Sequence, residues 1–384
     1  MCKVIVIGGN HHNTLGVIRS LGRRRIFPDV ILTSGGKTSF VLKSRYIKHS
    51  WVVTGSEAAI KLLLTKFKEE KEKPVIIACH DLISSQIDLN RERLSPFFML
   101  PGCEIQGRVT ELMNKQRMSE LASKCGLNVP KTWIGDNRIM NEDQEFFPCI
   151  TKPTESRNGS KSEIHVCHTA QQLHFFLEKS NGKQFLIQQF IEKEIEFQLI
   201  GCSLSAGKSI IIPGVSVILR QPHNTNTGFL QYRPLDKSFE QTLELTKRFI
   251  RATAYSGLFS VEFIRDKEGM DFFMEINFRN DGNSVSVTNA GVNLPYIWAQ
   301  SCLGKDYSKE IKQIHEEYVM PEFAELDLYY SGLISFKQLR KDMSKATSYM
   351  DYATDDPDPT NGWNHYRKQL ISIIIKRIFK KILK

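Results

Sequence analysis

The chain has 384 residues, 41% of them hydrophobic and 24% charged, with 52 Lys and Arg against 42 Asp and Glu. That length suggests two or three domains, and the balance supports a large buried core, which excludes a peptide hormone, a small disulfide scaffold and wholesale disorder. Seven of the ten excess positive charges lie between Tyr366 and Lys384, leaving about +3 elsewhere and arguing against a body-wide nucleic-acid surface.

The first hundred residues alternate apolar runs with helical patterns. Val4 to Ile7, Val30 to Thr33 and Val75 to Cys79 are continuous apolar runs, with helical periodicity at Thr14 to Leu21 and Glu57 to Glu70. Buried strands separated by helices predict a parallel sheet covered on both faces, an α/β domain of nucleotide-binding type. The turn Gly8-Gly9-Asn10-His11-His12-Asn13 lacks dinucleotide-fingerprint spacing. It reads either as simple turn geometry or as an anion site at a helix N-terminus beginning at Asn13-Thr14. His11, His12, His80 and Asp81 fall at strand ends, where open α/β sheets border ligand crevices, so they are candidates for substrate contact or for capping.

A helix is expected from Glu111 to Cys125, stopped by Gly126 as a C-terminal cap and followed by Val129-Pro130. The next block is α+β. It has apolar runs at Phe147 to Pro153, Phe185 to Ile191 and Ile195 to Gly201, helices at Thr169 to Lys179 and Phe239 to Ala254, and β-rich sequence through Ile218. Leu258 to Ile264 and Phe272 to Ile276 flank Arg265-Asp-Lys-Glu-Gly269 and read as a hairpin. Arg220 and Arg233 bracket the polar loop His223 to Gly228, either a solvated connection or a contact for an acceptor. Beyond Leu303 the pattern is irregular, and Asp355-Asp-Pro-Asp-Pro359 reads as a solvated linker. Leu370, Ile371, Ile374, Ile375, Ile378 and Phe379 then recur at three- and four-residue spacing among lysines and arginines, predicting a basic amphipathic helix. It suits an anionic membrane surface or packing on the body or a partner.

The eight cysteines are scattered without a CxxC pair, consistent with buried reduced thiols in a cytosolic protein. No stretch approaches the ~20 apolar residues of a membrane span, and Lys3 to Ile7 is too short for the core of a signal peptide.

The hairpin carries the chemistry. At period two, Glu262 on one strand and Glu275 and Asn277 on the other share a face, with Arg279 just beyond. This is either an ordinary charge-paired surface or a hard, all-oxygen set suited to Mg²⁺ between protein and phosphates, with the arginine meeting a phosphoryl or carboxylate group. Upstream, Lys152 ends an apolar run before the polar loop Glu155 to Ser160, and Gln188-Gln-Phe-Ile191 leads into Glu192 to Glu196.

Taken in order, Asn114-Lys115, Ile150-Thr-Lys152-Pro, Gln188 to Ile191 with Glu194, and Glu262 with Met274-Glu-Ile-Asn-Phe-Arg279 resemble the ATP-grasp superfamily of carboxylate-amine ligases. That group includes carbamoyl phosphate synthetase large chains, biotin carboxylase and D-alanine-D-alanine ligases. The resemblance covers roughly residues 1 to 305. It implies a Rossmann-like pre-ATP-grasp domain at 1–110, a two-lobed ATP-grasp fold at 111–305 (small lobe about 130–190, large lobe about 191–305), a C-terminal extension and linker at 306–365, and the helix at 366–384. It further implies ATP phosphates on Lys115 and Lys152, the base on the Gln189, Phe190 and Ile191 backbone, the ribose on Glu194, Mg²⁺ (or Mn²⁺) on Glu262, Glu275 and Asn277, and the acyl phosphate on Arg279. Two departures stand out: Gln188-Gln189 where an acid is common, and Lys193 where glycine is frequent, which makes Glu196 the alternative ribose contact. The implied reaction joins a carboxylate to an amine through an acyl phosphate, releasing ADP and phosphate. The expected partners are a small-molecule or glycan-linked carboxylate and an amine, with the protein in the cytoplasm, in contact with the inner membrane face through 366–384, and a homodimer among the options. An amino-acid addition to a cell-surface polysaccharide precursor is the first expectation. A dipeptide or secondary-metabolite ligase and a non-catalytic ATP-binding regulator are the alternatives.

Overall fold

The computed structural model describes residues 3–36, 38–135, 146–153, 165–180, 184–220 and 228–360, together with 368, 371–372, 374–377 and 379. The N-terminal unit is a four-stranded parallel sheet of order β3-β2-β1-β4, built from β1 (Val4–Gly8), β2 (Asp29–Leu32), β3 (His49–Val52) and β4 (Val75–Ala78). Helices α1 (His12–Gly22), α2 (Gly55–Leu62), α3 (Asp81–Leu89), α4 (Arg91–Leu94) and α5 (Arg108–Leu112) accompany it. β1, β2 and β4 are buried throughout, as their unbroken apolar runs require, whereas β3 is an exposed edge.

The helix expected from Glu111 to Cys125 is two helices. Asn114 interrupts it, its side chain accepting from the amides of Gln116 (3.1 Å) and Arg117 (3.2 Å) as the N-cap of α6 (Lys115–Lys124). This cap makes Lys115 the first residue of a new helix. Gly126 does end that helix, with φ +88°, and the Leu127 amide returns to the Ala122 carbonyl (3.1 Å).

A small antiparallel sheet, order β5-β8-β6-β7, follows from β5 (Thr132–Gly135), β6 (Cys149–Pro153), β7 (His165–Cys167) and β8 (Phe185–Gln189), with α7 (Ala170–Lys179) packed on it. The third sheet has eight strands. Its path is β14-β13-β9-β11-β12-β15-β16, with β10 paired to β9, from β9 (Lys193–Leu204), β10 (Ser209–Ile211), β11 (Val215–Arg220), β12 (Phe229–Arg233), β13 (Gly257–Asp266), β14 (Asp271–Asn277), β15 (Glu317–Met320) and β16 (Ser348–Tyr349). Helices α8 (Glu240–Thr253), α9 (Ser284–Asn289), α10 (Leu294–Cys302), α11 (Glu322–Ser331) and α12 (Phe336–Lys345) complete it. The region read as irregular therefore lends two strands to the large sheet.

One apolar core runs through the N-terminal sheet and the large sheet together, joining Val6, Leu15 and Val30 to Ile200, Leu230 and Val287. Polar bonds pin the same seam: Trp298 Nε1 donates to the Ile76 carbonyl (3.1 Å), Asn13 Nδ2 to the Cys79 and Asn280 carbonyls (2.8 Å each), and the Asn280 amide to the Ala78 carbonyl (3.0 Å).

The Asp355 to Pro359 stretch is not a solvated linker. Asp356 is fully buried and bonds Arg19 Nε (3.0 Å), Ser44 Oγ (2.8 Å) and the Arg45 amide (2.9 Å), while Arg19, 2% exposed, also donates to the Asp351 and Asp356 carbonyls. Asp355 takes Arg23 bidentately at 2.8 and 3.0 Å. The partner that buries this acidic turn lies more than three hundred residues upstream, beyond the reach of a local pattern. Among the described residues, no helix is long and apolar enough to cross a membrane.

Candidate active site

A cavity of about 790 Å³ opens between the small sheet and the β13–β14 hairpin. Its polar lining includes Lys115, Lys152, Gln188, Glu196, Glu262 and Glu275, and its apolar lining includes Val129, Trp133, Ile134, Leu186, Phe263 and Met274. An apolar slot with a few convergent charges is the usual form of a small-molecule site.

β6 supplies Lys152, whose Nζ donates to Gln188 Oε1 on the neighbouring strand (2.9 Å), and Gln188 Nε2 donates on to Thr132 Oγ1 (3.1 Å). Burial, helped by the nearby Lys115 ammonium and opposed by Glu275, depresses the Lys152 pKa to about 8. A lysine poised in this way gains strongly from an anion beside it.

Across the cavity, Glu262 and Glu275 are direct partners in the β13–β14 register, and Asn277, paired with Ser260, follows on the same face. Asn277 Nδ2 donates to Glu262 Oε1 (3.0 Å), as does Gln198 Nε2 from β9 (3.2 Å). Burial, then Glu275 and Asp281, push the Glu262 carboxyl well above its ordinary range. Two facing carboxylates and an amide oxygen form a hard oxygen set in which a divalent cation would relieve the repulsion, so these residues fit Mg²⁺. No group of three or more His, Cys, Asp or Glu arranged to hold a metal occurs among the described residues. The fit rests on this pair with Asn277.

Arg279 follows β14 and spans the seam to the N-terminal sheet. It donates to Asp81 (3.1 Å), Asp281 (3.1 Å), Asn277 Oδ1 (2.9 Å) and the Asn280 carbonyl (3.3 Å). Burial works against its charge, but Asp81 and Asp281 outweigh that and raise its pKa. The strand-end histidines act first as caps. His11 Nδ1 accepts the Asn13 amide (3.3 Å), and His80 Nδ1 accepts the Ile83 amide (3.2 Å) while its Nε2 meets Thr33 Oγ1 (2.8 Å). Burial lowers the pKa of His11, His80 and His12, that of His12 to about 3, so all three are neutral at pH 7.

Other sequence candidates are placed differently. Gln189, Phe190 and Ile191 close β8 without lining the cavity, and the first two amides are engaged by the Lys131 (2.8 Å) and Pro148 (3.0 Å) carbonyls. Glu196 lines the cavity, paired with Lys193 (2.8 Å), and Glu194 does not. Arg220 is held by Glu325 and by Asp342 (2.8 Å), and Arg233 by Asp236 (2.6 Å), so neither turns to this site. The polar loops at 154–164 and 221–227, which include most of the loop candidates, lie outside the described residues.

Sequence reasoning missed the support behind Glu262. Gln198 is in register with Glu262, its Oε1 accepts Asn283 Nδ2 (2.8 Å), and Ser260 Oγ donates to Asp281 Oδ2 (2.8 Å). The two-residue step from Glu196 to Gln198 on a strand was the available signal.

The chain is similar in sequence and in fold to known proteins. The family described as ATP-grasp in the biosynthetic pathway with Ter operon matches residues 231–324. D-aspartate ligase of Enterococcus faecium (strain Aus0004) is 21% identical over 258 residues, covering 62% of this chain and 61% of that protein, so the match spans less than two thirds of that relative. N5-carboxyaminoimidazole synthetase from Staphylococcus aureus superposes with a TM-score of 0.66 at 15% identity, over 88% of this chain and 86% of that one. A Campylobacter jejuni biotin carboxylase in complex with β-γ-ATP gives 0.64 at 15%, over 83% and 75%. L-amino acid ligase from Bacillus licheniformis gives 0.63 at 15%, over 83% and 81%. Likeness at these identities establishes the shared fold.

Proposed function

We propose that this chain, a member of the ATP-grasp superfamily, is an ATP-dependent ligase that joins a carboxylate to an amine through an acyl phosphate. The observation that carries the reading is the cavity itself. Two lysines and two register-paired glutamates line one apolar slot of about 790 Å³, cations for phosphates together with acids for the metal ion that accompanies them.

In this reading Lys115 and Lys152 hold the phosphates of ATP and spread the charge of the transferring group. Trp133, Leu186 and Met274 take the adenine between apolar faces. Glu196, rather than Glu194, holds the ribose, because it is the acid that lines the cavity. Bound at Glu262, Glu275 and Asn277, Mg²⁺ would supply charge neutralisation at the phosphates. A carboxylate resists nucleophiles because its own charge repels them; phosphorylation cancels that charge and creates a leaving group. Arg279, held at the seam by Asp81 and Asp281 and bonded to Asn277, orients the acyl phosphate for attack by the amine. The product is an amide or peptide bond with ADP and phosphate.

Two of the relatives are named for amino acids, and this favours an amino acid as one substrate. A glycan-linked or lipid-linked second substrate is the finer part of the proposal. Thermal unfolding with and without Mg-ATP, in wild type and Lys152→Ala, tests the nucleotide site. ADP release across an amino-acid panel, with mass spectrometry of the product, then tests ligation. Hydrolysis of ATP without any coupled product would overturn the ligase reading.

A further inference from the structure

The basic C-terminal segment does not hang free of the body. Ile374 packs into the small core of Leu326, Leu328, Tyr329, Ile334 and Leu339, and Arg377 donates to the Tyr329 carbonyl (2.8 Å) while lying 4.4 Å over its ring. These contacts fix which side of the helical segment faces the protein. Beside that contact runs a row of Ile371, Ile375 and Phe379, four residues apart and 57%, 47% and 60% exposed.

A second element continues the same surface. Leu333 and Phe336, in the turn from α11 to α12, are 55% and 42% exposed. That turn abuts the helix, since a Cβ at Gly332 would lie 3.7 Å from Arg377 and the Tyr329 and Phe336 rings are 5.9 Å apart. Lys337, Arg340 and Lys341 on α12 and Lys368 and Lys376 on the terminal segment are all exposed around this apolar area. The acids nearby are mostly turned inward: Glu325 and Asp342 are committed to Arg220, and Glu322 is buried, leaving Asp327 exposed.

We propose that this two-element face is a docking surface for an anionic lipid bilayer. Large apolar side chains in a row, ringed by cations, match the boundary between acyl chains and negatively charged headgroups. Charge selects this occupant over a second copy of the chain, because a twofold contact through the face would bring two like-charged rings together.

The test is co-flotation of the full chain with vesicles of phosphatidylcholine containing roughly one-third phosphatidylglycerol, against phosphatidylcholine alone. Binding is expected to the anionic vesicles only, and to fall at least tenfold in Ile375→Glu/Phe379→Glu and severalfold in Leu333→Ser/Phe336→Ser. The second variant leaves the terminal segment intact, so it decides the matter if the first fails to fold, and unfolding temperatures identify such a failure. Equal binding to both vesicle types, no binding by the wild type, or a wild-type dimer that Ile375→Glu/Phe379→Glu makes monomeric without any vesicle binding would each overturn the proposal. None of these readouts needs ATP or turnover, so the result is independent of the ligase reading.

Discussion

The clamp between α1 and the Asp355–Asp356 turn and the acidic hairpin at the cavity both take charges out of water, and they treat them in opposite ways. At the clamp, Arg19 and Asp356 meet at 3.0 Å, and the carboxylate also receives Ser44 and the Arg45 amide. Every charge there is answered by the protein. At the hairpin, Glu262 faces Glu275 in register with Asp281 close by, and burial together with that repulsion raises its pKa; Lys152 is depressed by burial and then by Lys115. Charges that hold the fold are neutralised within it, whereas charges held in reserve for a ligand are left in conflict.

The strongest way to break this comparison is at the clamp. Asp356→Ala strands a buried guanidinium, and a loss of about 3–5 kcal/mol is expected in urea unfolding. A loss under ~1 kcal/mol would show that the clamp is ornamental. At the cavity, Mg-ATP at ~100 times its dissociation constant should stabilise wild type by about 2.7 kcal/mol and Lys152→Ala much less. Equal stabilisation of both would remove Lys152 from the phosphate site.

Glu262→Gln sharpens the contrast, because it removes a like charge while keeping a carbonyl oxygen to accept from Asn277 and Gln198. Stability should hold or rise, while the Mg²⁺ dependence of ATP binding weakens by roughly tenfold, about 1.4 kcal/mol. A less stable Glu262→Gln would mean that the hairpin acids belong with the structural charges. For Lys152, a base with a lowered pKa is charged below about pH 8 and neutral above it. ATP affinity should therefore fall about tenfold from pH 7 to pH 9, with proton uptake on binding at pH 9 seen as a buffer-dependent heat in calorimetry. The smallest effect is expected from Asn114→Ala, about 1 kcal/mol of stability through the lost cap, with a modest weakening of ATP because Lys115 starts that helix.

Elements whose logic is local were legible in the sequence. The Leu258–Ile264 and Phe272–Ile276 runs with the Arg265–Gly269 turn are a hairpin, the three long apolar runs form a parallel sheet, and Gly126 ends its helix. That Glu262, Glu275 and Asn277 share a face follows from side-chain period two, whereas the direct opposition of Glu262 to Glu275 depends on an irregularity in the pairing between Glu262 and Phe263. What escaped were features that depend on distant partners. Asp355–Asp356 has the composition of a linker and is buried only because Arg19 and Arg23 receive it. β3 is an exposed edge with little apolar run to announce it, and β15 and β16 are short strands completed by β12. Asn283 matters through its bond to Gln198, which in turn bonds Glu262, and no spacing in the chain records the Asn283 contact.

The Arg19–Asp356 pair spans 337 positions. At about 5–20 residues per second of synthesis, the helix carrying Arg19 waits roughly 17 to 70 s on the ribosome before its carboxylate exists. Throughout that interval the nascent N-terminal sheet holds an unanswered cation and an apolar face meant for the large sheet. The chain is committed to its final form late, so early release would leave products recognisable to quality-control proteases.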